Sequence, residues 1–182
     1  MSMRTIAVPK LFGKYVRLAG EELGMELNYI FGDAAYIRGQ IETNKAAGIS
    51  ANFPLVGLYW TLNQDYEHNP TPDIAARVSL KFIIAVSSER GKGNEERLKE
   101  YYQEQLYVIM DAIILSMEND KRVLDFGYNG KASFRHNEGY ELPDNGVVDN
   151  KNNEFSEIID AVNVNNLIIN IKEINCRNEQ DY

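Results

Sequence analysis

Arg77-Val-Ser-Leu-Lys-Phe-Ile-Ile-Ala-Val86 is the stretch that sets the fold. Val78, Leu80, Phe82, Ile84 and Val86 fall on one side of an extended chain, and Arg77, Ser79 and Lys81 fall on the other. That two-residue period predicts a β-strand with one face in a core. Beyond a turn at 87–93 the period changes. Leu98, Tyr102, Leu106, Ile109, Ile113 and Met117 recur at spacings of 4, 4, 3, 4 and 4, which predicts a helix from about Asn94 to Glu118. Asn94 is placed to cap it, and Glu95 and Glu96 suit its first turn. Its length is on the order of 35 Å. Tyr101, Val108, Ala112 and Leu115 widen the apolar stripe beyond what one sheet face requires. Such a helix is either central in its domain or packed against a neighbouring subunit.

Upstream, Leu11, Phe12, Tyr15, Val16, Ala19 and Leu23 predict a helix over 8–23, with Pro9 in its first turn and Gly24 as its stop. An extended piece over 26–31 leads to Asp33, the expected N-cap of a second helix reaching about Lys45. Phe53-Pro-Leu-Val-Gly-Leu-Tyr-Trp60 reads as a short strand, and 61–75 as a loop. Downstream, 122–128 and 131–136 suggest a hairpin turning at Asn129-Gly130. The polar stretch 137–155 reads as a long exposed loop, and 175–182 as a flexible tail. In the last strand, Ile158, Val162 and Val164 share one parity, whereas Leu167, Ile169 and Ile171 share the other. A regular strand cannot keep both sets on one face, so a bulge is expected near Asn165-Asn166. There are no internal repeats. The expected architecture is one α+β domain over 1–182: a mixed or antiparallel sheet packed against a long helix and an N-terminal helix.

The 182 residues are 44% hydrophobic and 25% charged, ample for a core. Nineteen Lys and Arg against twenty-seven Asp and Glu give 19 − 27 = −8. That balance argues against a protein whose main task is gripping nucleic-acid phosphates. One cysteine, Cys176, excludes an internal disulfide framework and a four-cysteine zinc site. No apolar run approaches the roughly 20 residues of a bilayer span, and no secretory h-region opens the chain, so no membrane partner is expected.

The chemistry-bearing residues form no recognisable catalytic pattern. Gly91-Lys92-Gly93-Asn94 precedes a helix but lacks the Gly-Lys-Ser/Thr ending of a phosphate loop, and Glu95-Glu96 would repel an anion. Asp65, Glu67 and His68, or His136 with Glu138, are too loosely spaced for a metal site and read as solvated loops. Ser87-Ser88 has no partner base in sequence, and Cys176 reads as an inert thiol. Asp160, inside an apolar strand, is the one buried-carboxylate candidate, and a structural hydrogen bond or an interface ion pair is its expected role. No enzyme activity and no cofactor are expected.

Three stretches carry a family resemblance: Phe53–Trp60, Glu96–Ile113 and Asn153–Ile171, the last running Asn-Glu-Phe-Ser-Glu-Ile-Ile-Asp-Ala-Val-Asn-Val-Asn-Asn-Leu-Ile-Ile-Asn-Ile. In that order they resemble the neck proteins of tailed phages of Bacteroidetes hosts, with His136 where that family tends to place a His before its last strand. Val108-Ile109 replaces the family's usual Pro, and Val162-Asn163 its Ile-Glu pair. The resemblance implies a tail-terminator-like fold and a structural role in the virion, and crass-like phages are similar in stacking several ring proteins between portal and tail. The subunit would belong to a head–tail connector or tail-terminator ring of about six or twelve copies. Portal or connector and tail proteins would be its partners, and DNA would pass through the lumen without specific binding. The protein would sit in the neck or tail, and in the host cytoplasm during assembly. The alternative is a non-virion assembly factor or another protein–protein module. Tyr101, Val108, Ala112, Leu115 and Asp160 are the candidate subunit-interface residues.

Overall fold

The structure, a computed structural model, describes residues 7–46, 53–60, 63–65, 74–89, 91–126, 130–138 and 157–172. Its elements in order are α1 (Val8–Leu23), β1 (Asn28–Gly32), α2 (Ala34–Ala46), β2 (Leu55–Tyr59), β3 (Asn63–Asp65) and β4 (Ile74–Glu89). A helical run follows as α3 (Asn94–Arg97), a π-helical segment (Leu98–Leu106) and α4 (Tyr107–Asn119). Strands β5 (Leu124–Phe126), β6 (Arg135–Glu138) and β7 (Glu157–Lys172) complete the chain. The class is α+β.

The 16-residue strands β4 and β7 pair antiparallel and form the middle of the sheet. Each outer side of this pair carries two short strands: β2 and β3 along β4, and β5 and β6 along β7. β1 adds in parallel to β2 and makes the sheet mixed. Helix α1 and the long helical run cover one face. Phe12, Tyr15, Val16, Leu106, Ile109, Ile113 and Met117 pack there against Val78, Leu80, Phe82, Ile84 and Val86. On the opposite face, α2 brings Ile37 and Ile41 onto Leu55, Tyr59, Ile83 and Ala161. That approach depends on Gly57, because a Cβ there would lie 2.9 Å from Ile37 Cγ2 and 3.1 Å from Ile83 Cγ2. The β4 alternation therefore predicts which strand residues share the larger core.

Local signals translate directly. Gly24 adopts φ 67° and ends α1. Asp33 caps α2, its Oδ1 accepting the Tyr36 N–H at 2.7 Å. The expected bulge in β7 is present: Leu80 faces Leu167 while Phe82 faces Val164, so β7 carries one residue more than β4. Asn166 takes that extra position at φ 59°, and Val162, Val164, Leu167, Ile169 and Ile171 all enter the same core. Asn is among the few non-glycine side chains that tolerate this left-handed conformation.

Several expectations need correction. The long helix is not α-helical throughout: over Leu98–Leu106 it opens to π geometry, and the Tyr107 N–H bonds to the Tyr102 carbonyl five residues back. This widening lets two consecutive residues, Tyr101 and Tyr102, both turn inward. The helix cap is Gly93 and not Asn94, with Glu96 Oε2 accepting the Gly93 N–H at 3.0 Å. β5 and β6 do not form a hairpin with each other, because each pairs with β7. The loop predicted over 61–75 contains β3 and the start of β4, residues 87–89 of the predicted 87–93 turn continue β4 by pairing with β7, and Asn137 and Glu138 belong to β6 instead of a loop. The rest of the 137–155 loop and the 175–182 tail lie outside the described residues.

Candidate functional site

The most concentrated polar chemistry lies where the π-helical segment crosses β7. Asp160 occupies the core-facing parity of β7 beside Val86 and is 1% exposed. Its carboxylate accepts from Arg97 Nε at 3.1 Å, from a terminal Arg97 nitrogen, and from the Tyr102 hydroxyl at 3.2 Å. A buried carboxylate requires this company, since an unpaired charge in the interior is strongly disfavoured. The hydrogen bond to Asp160 raises the Arg97 pKa. Burial first, then the Asp160 charge, pushes the Tyr102 hydroxyl up to about 12. Both partners thus remain protonated at neutral pH.

The cluster continues outward. Tyr107 donates its hydroxyl to Glu138 on β6, and burial followed by that bond raises its pKa to about 12. His136 sets its ring edge against Tyr107, with centroids 5.7 Å apart. Lys92 bonds Glu100 and lies 5.1 Å over the Tyr101 ring, while the Tyr101 hydroxyl accepts the Glu89 N–H at 3.2 Å. The would-be phosphate-loop lysine is therefore committed to its own helix. These contacts clamp the helical run to the strand ends on either side of it. They place no nucleophile next to a base, and among the described residues no group of three or more His, Cys, Asp and Glu is placed to hold a metal.

The five candidate interface residues divide in two. Tyr101 and Ala112 are packed inside the chain, each 7% exposed, and Asp160 is paired within it. Val108 and Leu115, one heptad apart on α4, are 40% and 43% exposed, with Asp111 between them on the same outward side. Glu67, His68 and Cys176 lie outside the described residues.

Two features escape a reading of the sequence. Arg97 as the partner of Asp160 is one, because nothing local links positions 63 residues apart. The other is Trp60, which shares parity with buried Val56 and Leu58 yet is 67% exposed just past the end of β2. Its ring stacks on Phe31 at 5.1 Å. A depression of about 220 Å³ between α4 and β5, lined by Glu118, Lys121 and Asp125 among others, is open and polar. No helix among the described residues is long and apolar enough to cross a membrane. No protein-family model matches the chain, and no curated protein matches it.

Proposed function

We propose that this chain is a structural subunit of a tailed-phage virion that closes into a ring in the neck, as a head–tail connector or tail terminator around the DNA exit channel. The observation that carries the reading is the placement of two different apolar surfaces. Val108 and Leu115 project from α4, which packs toward β5, whereas Trp60 on Phe31 marks the β1–β2 side of the sheet. A closed ring is built from such heterologous contacts, in which one face of a subunit meets a different face of the next. Exposed aromatic rings are favoured anchors at interfaces. The resemblance of Phe53–Trp60, Glu96–Ile113 and Asn153–Ile171 to phage neck proteins points the same way. In the fold these stretches supply β2, most of the helical run and β7; β2 and β7 flank β4 in one sheet, and the helical run packs on the larger core of that sheet.

The net charge of −8 suits a DNA conduit, because a negative lumen repels phosphates and lets the genome slide. Two measurements test this reading. Mass spectrometry of purified particles should find the protein in mature virions; its presence only in assembling cells would favour a scaffold or chaperone. Val108→Glu with Leu115→Glu should leave the fold intact and prevent ring closure, since surface changes of this kind shift stability by only about 0.5 kcal/mol.

A further inference from the structure

The two edges of the sheet are built differently. Along one, β6 presents Arg135, His136, Asn137 and Glu138, all exposed, and β5 has Asp125 at its centre. Charged, short strands of this kind discourage pairing with another chain. The other edge is β1, Asn28-Tyr-Ile-Phe-Gly32, with no charge and no proline. Its pairing with β2 is anchored by the Asn28 N–H on the Pro54 carbonyl at 3.0 Å and the Trp60 N–H on the Gly32 carbonyl at 2.9 Å. In a parallel ladder alternate residues face the same neighbour, so Asn28, Ile30 and Gly32 face β2 while Tyr29 and Phe31 turn their N–H and C=O groups outward. Among the described residues none of these four backbone groups has a hydrogen-bond partner.

We infer that the β1 edge is a strand-addition site for an extended segment of another protein, one with alternating apolar residues and a Lys or Arg at its ends. The backbone groups of Tyr29 and Phe31 supply the ladder. Side chains of alternate parity on the incoming strand lie beside Tyr29 and Phe31 on one face, next to the exposed Trp60 ring, and beside Ile30 on the other. Charge selects the occupant. Between Arg17 and Arg38 the chain carries Glu21, Glu22, Glu26 and Asp33 and no cation, so acids bracket the strand at both ends. The same bracket disfavours a second copy of β1. An antiparallel pair centred on Ile30 would set Glu26 of each copy opposite Ala34 of the other, one residue from Asp33, and so would crowd the acids of both copies at each end of the pair. This inference does not depend on the ring reading.

The test uses the full chain and three synthetic peptides: acetyl-Lys-Val-Thr-Val-Thr-Val-Lys-amide, its Glu-bracketed counterpart, and a version with Pro in place of both Thr. Trp60 is the sole tryptophan and lies beside the edge, so its fluorescence reports binding. The Lys-bracketed peptide should bind at least about tenfold tighter than the Glu-bracketed one, and the Pro-interrupted peptide should not bind. Glu26→Lys, an exposed change, should weaken the Lys-bracketed peptide by up to about fivefold and strengthen the Glu-bracketed one. Absence of binding, or equal binding of the two charged peptides, would overturn the inference. So would self-association that is lost in a folded Phe31→Pro variant but kept in Trp60→Ala, because the edge backbone, and not the exposed ring beside it, would then belong to a second copy.

Discussion

Asp160 and Arg97 are the residues on which the helix–sheet contact turns, and the two are unequal partners. Asp160 is 1% exposed, whereas the Arg97 side chain is 28% exposed. Removing Arg97 strands a carboxylate in the core, while removing Asp160 leaves a guanidinium that can turn to water. Arg97→Ala should therefore cost about 3–5 kcal/mol and Asp160→Ala less, about 2–3 kcal/mol. The double variant Arg97→Met with Asp160→Leu should recover most of the loss. Denaturant unfolding of the four proteins measures the coupling as a double-mutant cycle; independent, additive effects would mean that the pair does not hold the helix. The tyrosines give a pH signature. Tyr102 and Tyr107 keep their protons to about pH 12 in the fold, against 10.0 for an ordinary tyrosine. Between those values the unfolded chain binds fewer protons than the native one, so stability falls as pH rises through that window and is complete below it. An ultraviolet titration should show a late-ionising tyrosine class that shrinks in Tyr102→Phe.

Elements differ in how plainly the sequence announces them. α1, the Asp33 cap and the β4 alternation are local: capping chemistry and hydrophobic period lie within a few residues of each other. The β7 bulge was legible for the same reason, as a change of parity at Asn165-Asn166. Asn166→Ala puts a Cβ-bearing residue with no compensating side-chain amide at φ 59° and should cost about 1 kcal/mol, while Asn166→Gly should be nearly neutral. Thermal unfolding of the two variants distinguishes a required left-handed residue from a merely exposed one. Long-range pairing was not legible. Asn129-Gly130 suggests a hairpin, yet β5 and β6 find β7, because the open side of a 16-residue strand offers more ladder than two short strands offer each other. The π geometry of Leu98–Leu106 likewise answers to the tertiary setting: Tyr101 and Tyr102 must both reach inward, to Glu89 on one side and Asp160 on the other. The candidate interface residues show the same division. Periodicity identified an apolar helix, but only the packed fold separates Tyr101 and Ala112, used inside, from Val108 and Leu115, left outside.

At the scale of the whole molecule, the poverty in catalytic groups and the wealth in packed surface belong together. The described polar clusters around Asp160 and Tyr107 fasten helix to sheet, and the fold also leaves apolar surface open: Trp60 on Phe31, the Val108–Leu115 pair and the β1 edge. The proposed ring is the assembly that uses two of these surfaces at once. The most direct test is imaging of the purified full chain and of the virion neck, with the mass of the soluble species determined by light scattering. The proposal predicts closed rings of about six or twelve subunits, with Val108 and Leu115 at the contact between neighbours and an acidic lumen. A strict monomer absent from purified particles would contradict it, and a lumen lined mainly by Lys and Arg would contradict the role assigned to its charge.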